Sequence, residues 1–163
     1  MSKVISGMDP FPSLRFVDGC WEAAIELGAW RQFSHDSPSE VTLRVESVDE
    51  ESMMPPTPAQ QDAFRFLLEN QDAIRGVMLD RLLEQYGKWR NAWGSQLDDA
   101  AESMPPVTHP DSFRDLISLN VVYVCAPEDD GKTQVGFDFR CSWDEEHGLG
   151  FMTLGTSDRK SVV

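Results

Sequence analysis

The 163 residues hold only three cysteines, Cys20, Cys125 and Cys141, and no two of them form a CxxC pair. An odd, scattered set argues against a disulfide framework or a zinc knuckle and for reduced thiols in a cytoplasm. Long apolar runs are also missing. No window approaches the roughly 18 apolar residues of a membrane span, and the opening MSKVISGMDPF has no signal-peptide core. Basic residues are scarce: 14 Lys and Arg stand against 28 Asp and Glu, a formal charge of -14. Such a charge repels nucleic-acid phosphates and anionic lipid, so nucleic-acid and membrane-surface roles are disfavoured. It serves solubility and suits a basic protein partner. The chain has no GxSxG elbow, no phosphate-cradling glycine loop, no dinucleotide fingerprint and no internal repeat.

What is present is the composition of one ordinary globular domain, 40% apolar and 26% charged. Residues 1–12 read as an extended lead-in stiffened by Pro10 and Pro12. Leu14 to Val17 is a short strand, Asp18-Gly19 a hairpin turn, and Trp21 to Leu27 the returning strand in preference to a helix. Val41, Leu43 and Val45 alternate with Thr42, Arg44 and Glu46 as a third strand. After a Pro-rich linker, Thr57 caps a helix with Pro58 at its first position and Gln60 three residues beyond the cap. Ala63, Phe64, Leu67, Leu68, Ile74, Val77, Met78, Leu82 and Tyr86 continue at helical spacing, as one helix or as two broken near Asn70 to Asp72. Gly87 is the expected cap, with Trp89 and Trp93 on a further helical piece and Leu97 to Glu102 as another turn. Asp111 is expected to cap a short turn through Phe113, and Leu119 to Cys125 reads as a buried strand.

From Val135 the chain alternates again: Phe137, Phe139, Cys141 and Trp143 share one strand face, and Asp138, Arg140 and Ser142 the other. It breaks at Asp144-Glu145-Glu146-His147, and Gly148 and Gly150 let it return through Phe151, Met152 and Leu154. Residues 14–47 as strands, 57–102 as helices, 111–154 as a short helix and strands, and a frayed tail at 155–163 give a single domain over residues 1–163. The expected fold is α+β. An antiparallel sheet, built from the N-terminal meander and the C-terminal hairpin strands, carries the central helical segment on one face.

Chemistry has few places to reside. The 144–147 cluster alone has the composition of a metal or acid–base site, with Asp144, Glu146 and His147 as candidate ligands. Consecutive residues rarely converge on one ion, so a turn in which Asp144 caps backbone amides is the competing reading. His35 and His109 lie in loops and are the remaining imidazoles. Glu128, Asp129 and Asp130 lack the spaced acids of a calcium loop and read as a solvated turn. Trp89 and Trp93, four apart on one helical face, either dock on the sheet or form a binding patch; Trp21 and Trp143 read as core, and Trp30 has no assigned place.

The run CSWDEEHGLG at Cys141 to Gly150 resembles the C-[ST]-W-D-E-E-H-G-L-G signature of a family of uncharacterised bacterial domains. The likeness reaches upstream to Thr57-Pro58-x-Gln60, the Leu116-Ile117-x-Leu119 run, the Gly131 turn, Trp21 and the Val41–Val45 strand. It covers most of the chain from Leu14 to Leu154, and the chain departs from that pattern in Thr153 to Val163. The resemblance implies the fold and a bacterial cytosolic setting, and it assigns no activity. By analogy, small acidic bacterial domains include immunity proteins that neutralise toxins.

Two readings follow. The first is a non-catalytic interaction module, immunity-like or regulatory, that binds a basic partner through Trp89, Trp93, Trp143 and the acidic loop of Asp144, Glu145, Glu146 and His147. The second is a metal-binding protein or small metal-dependent hydrolase that uses the same loop. Neither calls for an organic cofactor, and an exposed strand edge leaves room for a homodimer.

Overall fold

The computed structural model describes residues 3–33, 40–49, 51–93, 104–144, 146–154 and 160–162. Among them the strands run β1 (Val4–Ile5), β2 (Leu14–Val17), β3 (Cys20–Ile25), β4 (Val41–Glu46), β5 (Ile117–Val124), β6 (Gln134–Cys141), β7 (Leu149–Leu154) and β8 (Lys160–Val162). They form one sheet in which spatial order follows chain order. Local chemistry explains the hairpins. Asp18 and Gly19 both adopt positive φ, 50° and 83°, as a type I′ turn requires, so β2 and β3 pair directly across them.

The join between the two halves differs from the expected antiparallel arrangement. β4 and β5 pair in parallel, Thr42 against Val121 through Val45 against Val124. The cause lies in the connection: the whole helical segment separates these strands, and a long crossover returns the chain to the end where β4 began. Every other neighbouring pair is antiparallel. The ends differ too. Val4 and Ile5, within the expected lead-in, pair with Arg15 and Leu14. Lys160 to Val162, within the expected frayed tail, pair with Thr153 to Phe151. Short edge strands of mixed composition carry no periodic signal, yet β2 and β7 offer them free backbone groups.

The helix α1 (Pro58–Glu69) begins with the full capping box: Gln60 N–H donates to Thr57 Oγ1 at 3.2 Å and Thr57 N–H to Gln60 Oε1 at 2.9 Å. The amide group of Gln60 does more than cap. It is 1% exposed, and its Nε2 donates to the carbonyl of Glu46 at 2.7 Å and that of Cys125 at 3.1 Å. One side chain thus ties the start of α1 to the ends of both parallel strands. Asn70 breaks the helical run, its Nδ2 donating back to the Phe66 carbonyl at 2.9 Å, and α2 follows as Gln71–Trp93. Gly87, expected as a cap, lies inside α2, and Trp89 and Trp93 belong to that same helix. A single internal glycine costs only about 1 kcal/mol, too little to stop a helix whose apolar stripe extends to Tyr86. The turn expected at Leu97 to Glu102 lies outside the described residues.

Burial follows the strand period. Val41, Leu43 and Val45 are buried while Thr42, Arg44 and Glu46 are not. β5 changes phase along its length: Ile117 and Leu119 are buried at one end, Val122 and Val124 at the other. An irregularity in register between Leu119 and Val121 makes the change, since one extra residue flips every side chain beyond it. α1 buries Ala63, Phe64 and Leu67 and contacts β5 and β6. α2 buries Ile74, Met78, Leu79, Leu82 and Tyr86. Trp30 packs edge-on against Phe139 at 4.9 Å between ring centroids, and Phe139 against Phe151 at 5.7 Å.

Replacing Gln60 by Ala takes the amide donor from the Glu46 and Cys125 carbonyls and removes half the capping box. The expected loss is about 2–4 kcal/mol of unfolding free energy, read as a lower urea midpoint with unchanged m-value.

Candidate functional site

The segment after β6 is built as a closed corner. Asp144 Oδ1 accepts the backbone N–H of His147 at 3.0 Å, and the His147 ring Nδ1 lies 3.2 Å from the same oxygen. The Asp144 carbonyl accepts the Gly148 N–H at 2.9 Å and the Cys141 thiol at 3.5 Å. Gly148 then takes φ of +77°, and a Cβ there would strike the backbone oxygen of Phe139. Only glycine fits both demands. Asp144 therefore closes a turn, as an Asx cap does.

The sequence-derived candidates separate at this corner. Trp143 lies beyond the end of β6 rather than on its face, and its ring packs against Tyr86 at 5.0 Å and near Phe113 at 6.5 Å. Glu146 and His147 are exposed, and Glu145 lies outside the described residues. Among the described residues no three His, Cys, Asp or Glu side chains stand together as a metal-holding group, so Asp144, Glu146 and His147 are not gathered into one. Trp89 is half-buried against the core, near the end of α2. For Trp93 the structure describes the backbone alone, as the last residue of α2. His35 falls outside the described residues. His109, and not Asp111, caps the 3-10 turn Pro110–Asp115, its Nδ1 accepting the Asp111 N–H at 3.2 Å. An Asp beside a Pro signals a cap in sequence, but the extended backbone of His109 puts the ring nitrogen in reach first.

A second cluster was not legible as a motif, because strand register assembles it. Across the surface opposite the buried residues of β3, β4 and β5 lie Glu22, Arg44 and Tyr123 in one row. Cys20 pairs with Glu46 in the next row. Arg44 Nε lies 3.1 Å from Glu22 Oε2 but makes no aligned hydrogen bond, so the pair is a contact of charges. The guanidinium carbon stands 6.0 Å from the Tyr123 ring centre. Further along, Asp138 sits half-buried with Asn120 Nδ2 at 3.4 Å from its Oδ2. Burial raises the Asp138 carboxyl above its ordinary range, against the pull of Asn120 and Arg140. Burial pushes the Cys125 and Cys141 thiols up to about 11 and also raises Cys20. A neutral thiol is a poor nucleophile at neutral pH.

The recesses that accompany these groups are shallow. One of about 500 Å³ lies over Arg15, Glu22 and Thr42, and another of about 510 Å³ lies at Glu128, Asp129 and Asp130. No described helix is long and apolar enough to cross a membrane.

The chain belongs to the family described as a domain of unknown function, DUF6985, whose model matches residues 12–157. No curated protein and no solved structure matches the chain.

Gly148→Ala is expected to cost at least about 2 kcal/mol, from a strained φ and a blocked Cβ, and Asp144→Ala about 1 kcal/mol from the lost turn bonds. His147→Ala, which leaves the backbone bond to Asp144 intact, should cost less than either in thermal unfolding. The protein should also weaken in alkali. Unfolded thiols titrate near about 8.5 and phenols near about 10, whereas burial holds Cys125 and Cys141 up to about 11 and Tyr86 up to about 12. The folded state keeps protons that the unfolded chain has released, so stability is full below pH ~8 and declines from there towards the folded values. Urea midpoints measured from neutral to strongly alkaline pH check this. Cys141→Ser and Cys125→Ser together should flatten the first part of the decline.

Proposed function

We propose that this domain is a non-catalytic interaction module, immunity-like or regulatory in type, that binds a basic protein partner in the bacterial cytoplasm. One observation carries the reading: the charge imbalance is turned outward. The sequence holds 28 acidic and 14 basic residues, and the buried polar side chains among the described residues are Ser47, Gln60, Ser118, Thr133 and Thr153, without an Asp or Glu. Carboxylates on the surface draw a cationic partner in by long-range attraction and favour it over acidic competitors.

The arrangement of the sheet supports the same reading. The row of Arg15, Glu22, Arg44 and Tyr123 lies opposite the buried side chains of β3, β4 and β5 as a broad surface of mixed character. Glu146 and His147, exposed at the corner after β6, are available to the same partner, whereas Trp143 and Trp89 serve it by holding that corner and the end of α2 against the core.

Capture on immobilised domain at physiological salt tests the proposal. The expected result is a basic protein retained in near-stoichiometric amount, competed by free domain and released as salt rises. Retention of neutral or acidic proteins alone, or no protein beyond a charge-matched control, would overturn it.

A further inference from the structure

We infer that the end of the sheet where β4 and β5 give way to their loops is the docking surface for a basic protein segment carrying an apolar anchor. The inference rests on the basic-partner reading and gives it a place and a chemistry. Its centre is apolar. Val48, Met53 and Met54 are 46%, 38% and 46% exposed, although described residues beside them are tied to the core by hydrogen bonds. The indole N–H of fully buried Trp21 donates to the Met54 carbonyl at 2.8 Å. Ser47 Oγ, itself buried, is 2.9 Å from the Asp49 carbonyl and 3.3 Å from that of Met54. Met53 holds φ of +51°, an unfavourable conformation for a side-chain-bearing residue. The loop thus has anchored ends, and its methionines point to solvent. Such side chains form adaptable apolar contact surfaces.

The surroundings of this patch specify the partner's charge. Glu46, the last residue of β4, and Asp49 and Glu51 on the loop flank it and are exposed. Gln60, by holding the carbonyls of both Glu46 and Cys125, sets the loop after β5 at the same sheet end, and that loop carries exposed Glu128, Asp129 and Asp130. Asp18, on the β2–β3 turn, joins them through the bond from Ser47 N–H to the Gly19 carbonyl at 3.4 Å. Opposing them are Lys132, 4.0 Å from Asp130, and Lys3, whose carbonyl accepts the Phe16 N–H. Acidic groups dominate this end. A segment with Lys or Arg around a Leu, Phe or Met would seat its apolar side chain on Val48, Met53 and Met54 and its cations against the rim. The buried apolar contact would supply most of the affinity, and the rim the association rate and the salt dependence.

The probe is a fluorescein-labelled synthetic amphipathic helix of lysine and leucine, with a polylysine of equal charge beside it, titrated by anisotropy at low and physiological salt. The intact domain should bind the lysine–leucine helix at least about tenfold more tightly than polylysine, the difference being apolar contact. Val48→Thr, Met53→Gln and Met54→Gln combined should weaken the helix about tenfold and leave its salt dependence unchanged. Glu128→Gln, Asp129→Asn and Asp130→Asn combined should weaken it and flatten the salt dependence. Thermal unfolding identifies any variant that fails to fold, and the solvent-exposed acid-to-amide set then carries the test alone. Equal binding of polylysine would overturn the apolar anchor. If both loop variants bind as the intact domain does while Asp80→Asn with Glu84→Gln on α2 loses binding, the surface is misassigned and the basic-partner reading stands. Binding of neither probe would overturn both.

Discussion

The parallel junction of β4 and β5 is the constraint on which the architecture depends, and a single buried amide satisfies it. Where two parallel strands end together and a helix begins, backbone groups from all three lose their regular partners. Gln60 answers for three of them at once. Its oxygen takes the Thr57 N–H, and its nitrogen supplies the carbonyls of Glu46 and Cys125. A buried amide with these partners fulfilled stabilises modestly, whereas losing it takes the partner from three backbone groups at once, and the asymmetry makes the position demanding. The consequence runs outward. The same bonds fix the loop after β4 relative to the loop after β5, so the geometry of one sheet end is inherited from the core.

The opposite kind of constraint governs the corner after β6. Here the chain must reverse between β6 and β7 while keeping Cys141 and Leu149 buried. Asp144 gathers the turn's amides, Gly148 supplies the left-handed step, and Trp143 turns inward onto Tyr86, whose hydroxyl donates to the Pro105 carbonyl at 2.6 Å. The aromatic ring packs on the core and the carboxylate caps the turn. Glu146 and His147 are left at the surface without a structural duty of comparable weight.

Sequence periodicity disclosed most elements because it reflects local physics. Asp18-Gly19, Thr57-Pro58 and the alternation in Val41 to Val45 each encode their own geometry, and the structure holds all three. Quantities set by distant segments were not legible. The direction of β5 against β4 depends on the path of the intervening helices, and the second role of Gln60 depends on that direction. The phase change in β5 comes from one irregularity at Asn120, which an unbroken apolar run conceals. Sites followed the same division. The Asp144 turn could be weighed from sequence because its bonds span three residues. The Glu22–Arg44–Tyr123 row could not, since strand register brings residues a hundred positions apart into line.

The distribution of charge follows from these constraints. A net charge of -14 opposes compaction by self-repulsion, and the cost depends on where the charges stand. Within the sheet, Glu22 is matched by Arg44, because an unmatched carboxylate in a half-buried row is expensive. In the loops, solvent and salt screen each carboxylate over about 10 Å, so an excess there is tolerated. The loops after β4 and β5 therefore accept an excess of acidic groups at little cost. Their convergence beside exposed methionines is a consequence of topology: the parallel pair ends where both chains turn, and whatever those turns carry is presented together.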